Sequence, residues 1–354
     1  MPVVKPNPPS LSRQRKAALR DYVTALAWRP DGEAILVGTA DGKLTLLGPN
    51  ADELWSENAH DGGVLSVAWN HDGNEFASGG QDGKVKIRRS TGKSVAELDA
   101  GGPWVDQLEY NPTGILASAA GRTLRIWEGV ESQELERLKS SCTGLGWNPA
   151  DPTRLAAASY GGVKHYKIGR MEPDREFPWK GSLLSLYWSP DGRHIACGCQ
   201  DQSVHVWVTE SGEDMEMTGY ELKVKALSWS CTGRFLATSG AAAACVWDFG
   251  GSGPKGTTPI TLEGHKQAIA ALSFQNRGGL LATTDESGAL FVWDISKPKK
   301  PISTTAMQGE AICVEWSPDD SQLAAGDAQG NLSLWQTEPK APIPASPRGR
   351  GGST

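Results

Sequence analysis

Eight times along the chain an aromatic residue closes a short apolar run: Trp28, Trp69, Tyr110, Trp147, Trp188, Trp229, Phe274 and Trp316. Successive members stand 41, 41, 37, 41, 41, 45 and 42 residues apart. A period of this length is a single supersecondary element that cannot bury its apolar faces alone, so neighbouring copies must stack. The period runs from about Tyr22 to Thr337, so nearly all of the 354 residues form one array rather than several domains.

In the first copy the pattern reads VTALAW, RPDG, EAILVGT, ADG and KLTLL. Short apolar runs bounded by Asp, Gly, Pro or Asn are strands joined by hairpin turns. The turn RPDG at 29–32 recurs as NHDG at 70–73, NPTG at 111–114, SPDG at 189–192 and SPDD at 317–320. Proline presets φ for the second turn position and glycine supplies positive φ after it. A second column lies 17 to 19 residues beyond the first and holds Leu47, Arg88, Trp127, Tyr166, Trp207, Trp247, Trp293 and Trp335. A variable stretch follows, such as ELWSENAH at 53–60, and completes four strands, a to d, in one twisted antiparallel sheet. The 42 glycines and 22 prolines suit many short strands, and the 14 tryptophans supply large surfaces to bury.

The phrases LEGH at 262–265, LSF at 272–274, LLATTDESGALFVWD at 280–294 and VWD at 246–248 resemble the WD-repeat family of β-propellers, over about residues 11 to 340. The resemblance implies an all-β, eight-bladed WD-type propeller with four antiparallel strands per blade. Blade 2 departs from it most, with Arg88 where the second column expects an aromatic. After Trp335 the prolines of TEPKAPIPASPRGRGGST leave no room for a fourth strand, whereas SRQRKAALRD at 12–21 has the length of one. An N-terminal strand completing the last blade would close the ring and remove an exposed edge. Residues 1–10 and 341–354 are then expected to be flexible tails. The resemblance also assigns Asp41, Asp82 and Asp201, in the turns between strands b and c, a structural hydrogen bond in a network with a histidine and the strand-c tryptophan. Only His60 and His265 stand at the histidine position, and blades 3, 4 and 6 lack the aspartate, so no blade is sure of the full network.

A formal net charge of −6 with no long basic block argues against general binding of a phosphate backbone. No nucleophile elbow, Walker-type loop or His-Glu-x-x-His motif appears. No apolar run approaches 18 residues, and six cysteines in so long a chain form no disulfide framework. A soluble cytoplasmic protein without cofactor is the expectation. Cys197 and Cys199 share one face of a strand, with His194 and His205 near in sequence, and offer an alternative metal site. Against it, both stand where small residues such as Val37 and Thr39 pack in blade 1, and cysteine is a common core residue. His165 falls on a core position and reads as a buried, hydrogen-bonded histidine, with a pH-sensitive contact as the other reading.

Eleven of the 14 tryptophans belong to the two columns, which leaves Trp55, Trp104 and Trp179. Trp55 suits packing within strand d of blade 1. The resemblance implies that partners dock on the end that carries the d–a and b–c loops. Trp104 directly precedes strand a of blade 3, Tyr160 replaces the turn aspartate of blade 4, and Trp179 is read in the loop PWKG into blade 5. These three map to that end on neighbouring blades, either as an interface centre or as caps folded over the core. Tyr22, Lys223 and Glu310 share the position of Trp104 in blades 1, 6 and 8 and are expected to ring the opening. The expected function is a non-enzymatic scaffold for a protein or peptide partner. The alternatives are a metal-handling or enzymatic propeller using the central channel, and a component of a nucleic-acid-associated complex.

Overall fold

Each copy of the repeat folds into a small antiparallel sheet, and eight such sheets make up the molecule. The computed structural model describes residues 11–251 and 253–337; the two tails expected at 1–10 and 341–354 lie outside the described residues. Among the described residues every regular element is a strand. Blade 1 shows the plan, with strands Val23–Trp28, Ile35–Thr39, Lys43–Leu47 and Glu53–Asn58 paired in sequence order. In blade 4 strands b and c merge into one run, Asp151–Lys167, which pairs with strand a through its first half and with Arg175–Ser182 through its second. The run folds back at Gly161 and Gly162, both at positive φ, and Ile168 N donates to Thr153 O at 2.9 Å across the fold.

Leu11–Ala18 pairs antiparallel with Asn331–Thr337, from Leu11 opposite Thr337 to Ala18 opposite Asn331, with a register shift between Ser12 and Arg15. The N-terminal strand therefore completes blade 8. The a strands touch one another in a closed circuit, the last returning to the first, so they surround the central axis.

Two devices join the blades. The first uses the indoles of column one. Trp69 Nε1 donates to Ala27 O at 3.1 Å, Trp147 to Glu109 O at 3.0 Å, Trp188 to Gly146 O at 2.9 Å and Trp229 to Tyr187 O at 3.4 Å. Trp316 donates to Ser273 O at 3.0 Å, and Trp28 closes the circle on Glu315 O at 3.3 Å. Each acceptor is the residue just before the column position of the preceding blade, so the column fixes register between sheets as well as filling space. Phe274 lacks a donor, and there the backbone N–H donates to Ser228 Oγ of blade 6 at 2.9 Å.

The second device is a glycine in strand b. A Cβ on Gly38 would stand 2.5 Å from Val64 Cγ1, one on Gly79 2.5 Å from Val105 O, and one on Gly326 2.5 Å from Val23 Cγ1. Gly198 meets Val224 of blade 6 in the same way. Blade spacing at these seams is set by the missing side chain.

Arg88 is reconciled with the core by an ion pair: its guanidinium meets the Glu57 carboxylate of blade 1, and the side chain is buried. Trp55 sits half-buried in strand d and packs on Phe76, ring centroids 6.0 Å apart.

Candidate functional site

A cavity of about 630 Å³ opens at the end of the ring where the d–a and b–c loops lie. It spans blades 5 to 8 and reaches blade 1, with Gln200 and Gln202 from a b–c loop, Lys223 and Lys225 from a d–a loop, and Glu286, Glu310 and Tyr22 beyond them. Its apolar part is Leu222, Ala268 to Ala270, Ala311 and Ile312. Strand a carries register shifts in blade 7 between Ile269 and Ala271 and in blade 8 between Ala311 and Cys313, bulges that re-aim the residues between them. Tyr22, Lys223 and Glu310 thus come to one cavity. Burial, and then the nearby Glu310, raise the Tyr22 phenol above its ordinary range. Among the described residues Lys223, Lys225, Glu286 and Glu310 take part in no ion pair, although they line one space.

The other three sequence candidates divide. Trp104 is 58% exposed and Tyr160 55% exposed, on blades 3 and 4. Trp179 lies not in a loop but within the strand Arg175–Ser182, half-buried against the core between blades 4 and 5. Its ring packs 4.0 Å from that of His205, because the strand continues past Pro178 and turns the indole inward. No ring contact joins Trp104, Tyr160 and Trp179 among the described residues.

Blade 7 holds the complete buried network. His265 Nδ1 meets Asp285 at 3.0 Å, His265 Nε2 meets Thr283 Oγ1 at 2.8 Å, and Trp293 Nε1 donates to the same hydroxyl at 2.8 Å. Blade 2 keeps His60 with Asp82 at 2.9 Å and Ser78 at 2.8 Å, but Arg88 removes the indole. Blade 6 substitutes Tyr220, whose hydroxyl lies 2.9 Å from Thr238 Oγ1 and accepts from Trp247 at 2.8 Å. Asp41 and Asp201 hold their own turns through Thr39 at 2.6 Å and Ser203 at 2.8 Å. These are structural hydrogen bonds, and those of Asp201 and Asp285 lie beside the cavity, next to its lining residues Gln200, Gln202 and Glu286.

Cys197 and Cys199 are buried between blades 4 and 5, where burial pushes the Cys199 thiol up to about 11 and Cys197 well above its ordinary value. His194 packs on Trp229 and Phe249, and His205 Nε2 is held by Asp214 at 2.8 Å. Among the described residues no group of three or more His, Cys, Asp or Glu side chains is arranged to hold a metal ion. The small residue that lets blades approach is Gly198, between the cysteines, rather than the cysteines themselves. His165 is buried with Nδ1 3.1 Å from Asp174, and its Nε2 has no partner.

The sequence reading passed over three carboxyls on the innermost strands. Burial pushes Glu109 up to about 8, against one hydrogen bond from Trp147 N at 3.1 Å. Burial pushes Glu315 up to about 8, and partial desolvation raises Asp106, which keeps solvent contact, to about 6. The signal was available: Glu109 and Glu315 stand one residue before column one, where Ala27, Ala68, Gly146, Ser228 and Ser273 are small and Tyr187 is the one other large residue.

A closed ring of eight sheets defines the chain as an eight-bladed β-propeller. It belongs to the WD-repeat family: the family model described as WD domain, G-beta repeat matches residues 13–46, 52–88, 172–208, 256–294 and 299–336, just over half of the chain. Similar proteins include Cell division cycle 20.1, cofactor of APC complex, of Arabidopsis thaliana, 25% identical over 45% of this chain and 36% of that protein. WD repeat-containing protein 1 of Gallus gallus is 25% identical over 45% of this chain and 27% of its own length. Telomerase protein component 1 of Rattus norvegicus is 26% identical over 68% of this chain and 10% of its own length. The chain thus spans between a tenth and just over a third of the length of these relatives. The crystal structure of a computationally designed protein, Ika8, matches with a TM-score of 0.77 at 21% identity, covering 92% of this chain and 98% of that one. That likeness concerns the fold alone.

Proposed function

We propose that the protein is a non-enzymatic scaffold that binds a protein or peptide partner across the end of the ring carrying the d–a and b–c loops. The observation that carries this reading is the cavity of about 630 Å³ to which Tyr22, Lys223 and Glu310 contribute, lined by charged groups that do not pair with one another. Exposed Trp104 and Tyr160 extend the surface over blades 3 and 4, and aromatics of this kind bury much area at little entropic cost. A rigid ring holds these loops in fixed order, so recognition resides in the rim side chains. One relative is named as a cofactor of the APC complex, which supports a role within an assembly. Six free cysteines support a reducing compartment such as the cytoplasm.

The name telomerase protein component 1 favours a second reading, membership of a nucleic-acid-associated complex. With a net charge of −6, such membership would run through a protein partner.

The test is affinity capture from lysate with mass spectrometry, on the wild type, on Trp104→Ala with Tyr160→Ala, and on Lys223→Glu with Glu310→Lys. Partners lost in the charge-reversed variant support the cavity, and those lost in the aromatic variant support the rim. An unchanged partner set in both rejects this end as the binding surface.

A further inference from the structure

Five residues ahead of column two, blades 1, 2, 4, 7 and 8 carry Gly42, Gly83, Gly161, Gly288 and Gly330, all at positive φ. Blade 5 carries Gln202 there, at φ 63, a conformation that a side chain with a Cβ adopts at a cost. In four of the glycine blades the following d–a connection seats on the glycine. Ala59 N donates to Gly42 O at 2.9 Å, Ala100 N to Gly83 O at 3.1 Å, Met307 N to Gly288 O at 2.8 Å and Leu19 N to Gly330 O at 2.6 Å. The seat is so close that a Cβ on Gly42, Gly83 or Gly288 would collide with the carbonyl of His60, Gly102 or Gly309, and one on Gly330 would stand 2.6 Å from Asp21 O.

At Gln202, held at the same positive φ as the glycines, a Cβ stands where that seat would lie, whereas Arg122 of blade 3, which has a Cβ but no positive φ, still accepts from Leu138 N at 3.1 Å. The connection after blade 5 pairs with blade 6, Leu222 N donating to Gly240 O at 2.8 Å, and reaches blade 5 at Cys199, whose carbonyl accepts from Val224 N at 3.3 Å, rather than at Gln202. The cavity opens at this place: Gln202, Leu222 and Lys223 are exposed and line it. The Gln202 side chain makes no hydrogen bond among the described residues, so no such bond offsets its backbone cost. Asp320 is the contrast. It too holds positive φ, at 63°, where other blades use glycine, and its carboxylate accepts N–H bonds from Asn276, Arg277 and Gly278 at 2.7, 2.9 and 2.8 Å. Ala51, at φ 64, sits in a tight turn that its N–H closes on Gly48 O at 3.0 Å; at Gln202 the strain stands at a cavity, the pattern of a group kept for a ligand.

The charges around the opening indicate which ligand. Lys223 and Lys225 stand on blade 6, Glu286 and Glu310 on blades 7 and 8, with Ala268 to Ala270 between them. Opposite charges that line one space yet stay apart are complementary to a molecule carrying both signs. We propose that Gln202 holds this loop off its seat to keep the cavity open, and that the cavity takes an extended peptide bearing an acidic and a basic side chain a few residues apart. The carboxylate meets Lys223 and Lys225, the cationic group meets Glu286 and Glu310, and the Gln202 amide bonds the peptide backbone. This rests on the scaffold reading above and specifies the chemistry of its site.

The experiment uses the full chain and fluorescein-labelled nine-residue peptides in an anisotropy titration. One set carries a glutamate and a lysine separated by two to five Gly or Ala residues; the controls carry two glutamates or two lysines. The mixed-charge set is expected to bind about tenfold tighter than either control, and Lys223→Glu with Lys225→Glu to lose about tenfold. Gln202→Gly is expected to weaken binding by about fivefold while raising Tm by about 1 °C, since glycine removes the backbone cost and lets the loop seat. That opposite pair of signs separates a ligand role from a structural one. Equal binding of all three sets, no binding by any, or unchanged affinity in Gln202→Gly overturns the proposal. If the peptides fail while lysate capture still depends on Lys223 and Glu310, the scaffold reading stands and the peptide chemistry falls.

Discussion

At the scale of the residue, Glu109 and Glu315 carry the clearest energetic consequence. Each is pushed up to about 8 by burial on an innermost strand, while an unfolded glutamate titrates near 4.5. Between those values the folded state holds a proton that the unfolded state has lost, so stability from these groups is full below about pH 4.5 and declines as the pH rises towards 8. Glutamine keeps the shape without the titration. Glu315→Gln is expected to leave Tm unchanged at pH 5 and to raise stability by about 1 kcal/mol at pH 8, an amount reduced for the partial solvent contact of the site. Thermal melts at the two pH values check this, and a gain that is equal at both rejects the burial account. The sequence shows both carboxyls at a position that is small in five of the eight blades, and that pattern alone gives them no role. Their environment depends on the adjacent blade, whose Trp147 N–H reaches the Glu109 carboxyl at 3.1 Å. The same limit applies to Trp179, whose packing against His205 joins two blades.

At the scale of the element, the strand-b glycine makes blade spacing a steric quantity. Gly38→Ala would press its Cβ on Val64 Cγ1, and overpacking of this kind costs about 1–3 kcal/mol. Adding Val64→Ala removes the opposing methyl groups, so the double variant is expected to lose less than the two single losses added together. Strictly additive losses in denaturant melts would show that Gly38 serves another purpose. Element existence was legible to a useful degree: the strand signals, the a–b turns and strand d of blade 1 appear where the sequence pattern puts them. The family model passes over residues 89–171 and 209–255, yet column one marks blades there at Tyr110, Trp147 and Trp229, and sheets form around all three. Merged strands in blade 4 were not legible, because Tyr160-Gly161-Gly162 folds back without the aspartate turn that marks blades 1 and 2.

At the scale of the whole molecule, closure by Leu11–Ala18 converts a linear array into a ring. Removing residues 1–18 would expose the edge of Asn331–Thr337 and leave blade 8 with three strands. The expected result is a fall in Tm of more than about 10 °C, or aggregation on purification, read by calorimetry against the full chain. A near-normal melt would show that the ring holds without its closing strand. The sequence by itself determined the eight units, the columns that face the core and the segment able to close the ring, because each is written in short-range patterns of apolar and turn residues that repeat along the chain. Only the tertiary structure decided that six of the column-one tryptophans hydrogen-bond the preceding blade, that Trp179 packs inward, and that the cavity opens over blades 5 to 8. The physical reason is distance. Whether a loop seats on Gly42 or is held off Gln202 depends on contacts between segments about 20 residues apart in the chain, and no local pattern encodes that spacing.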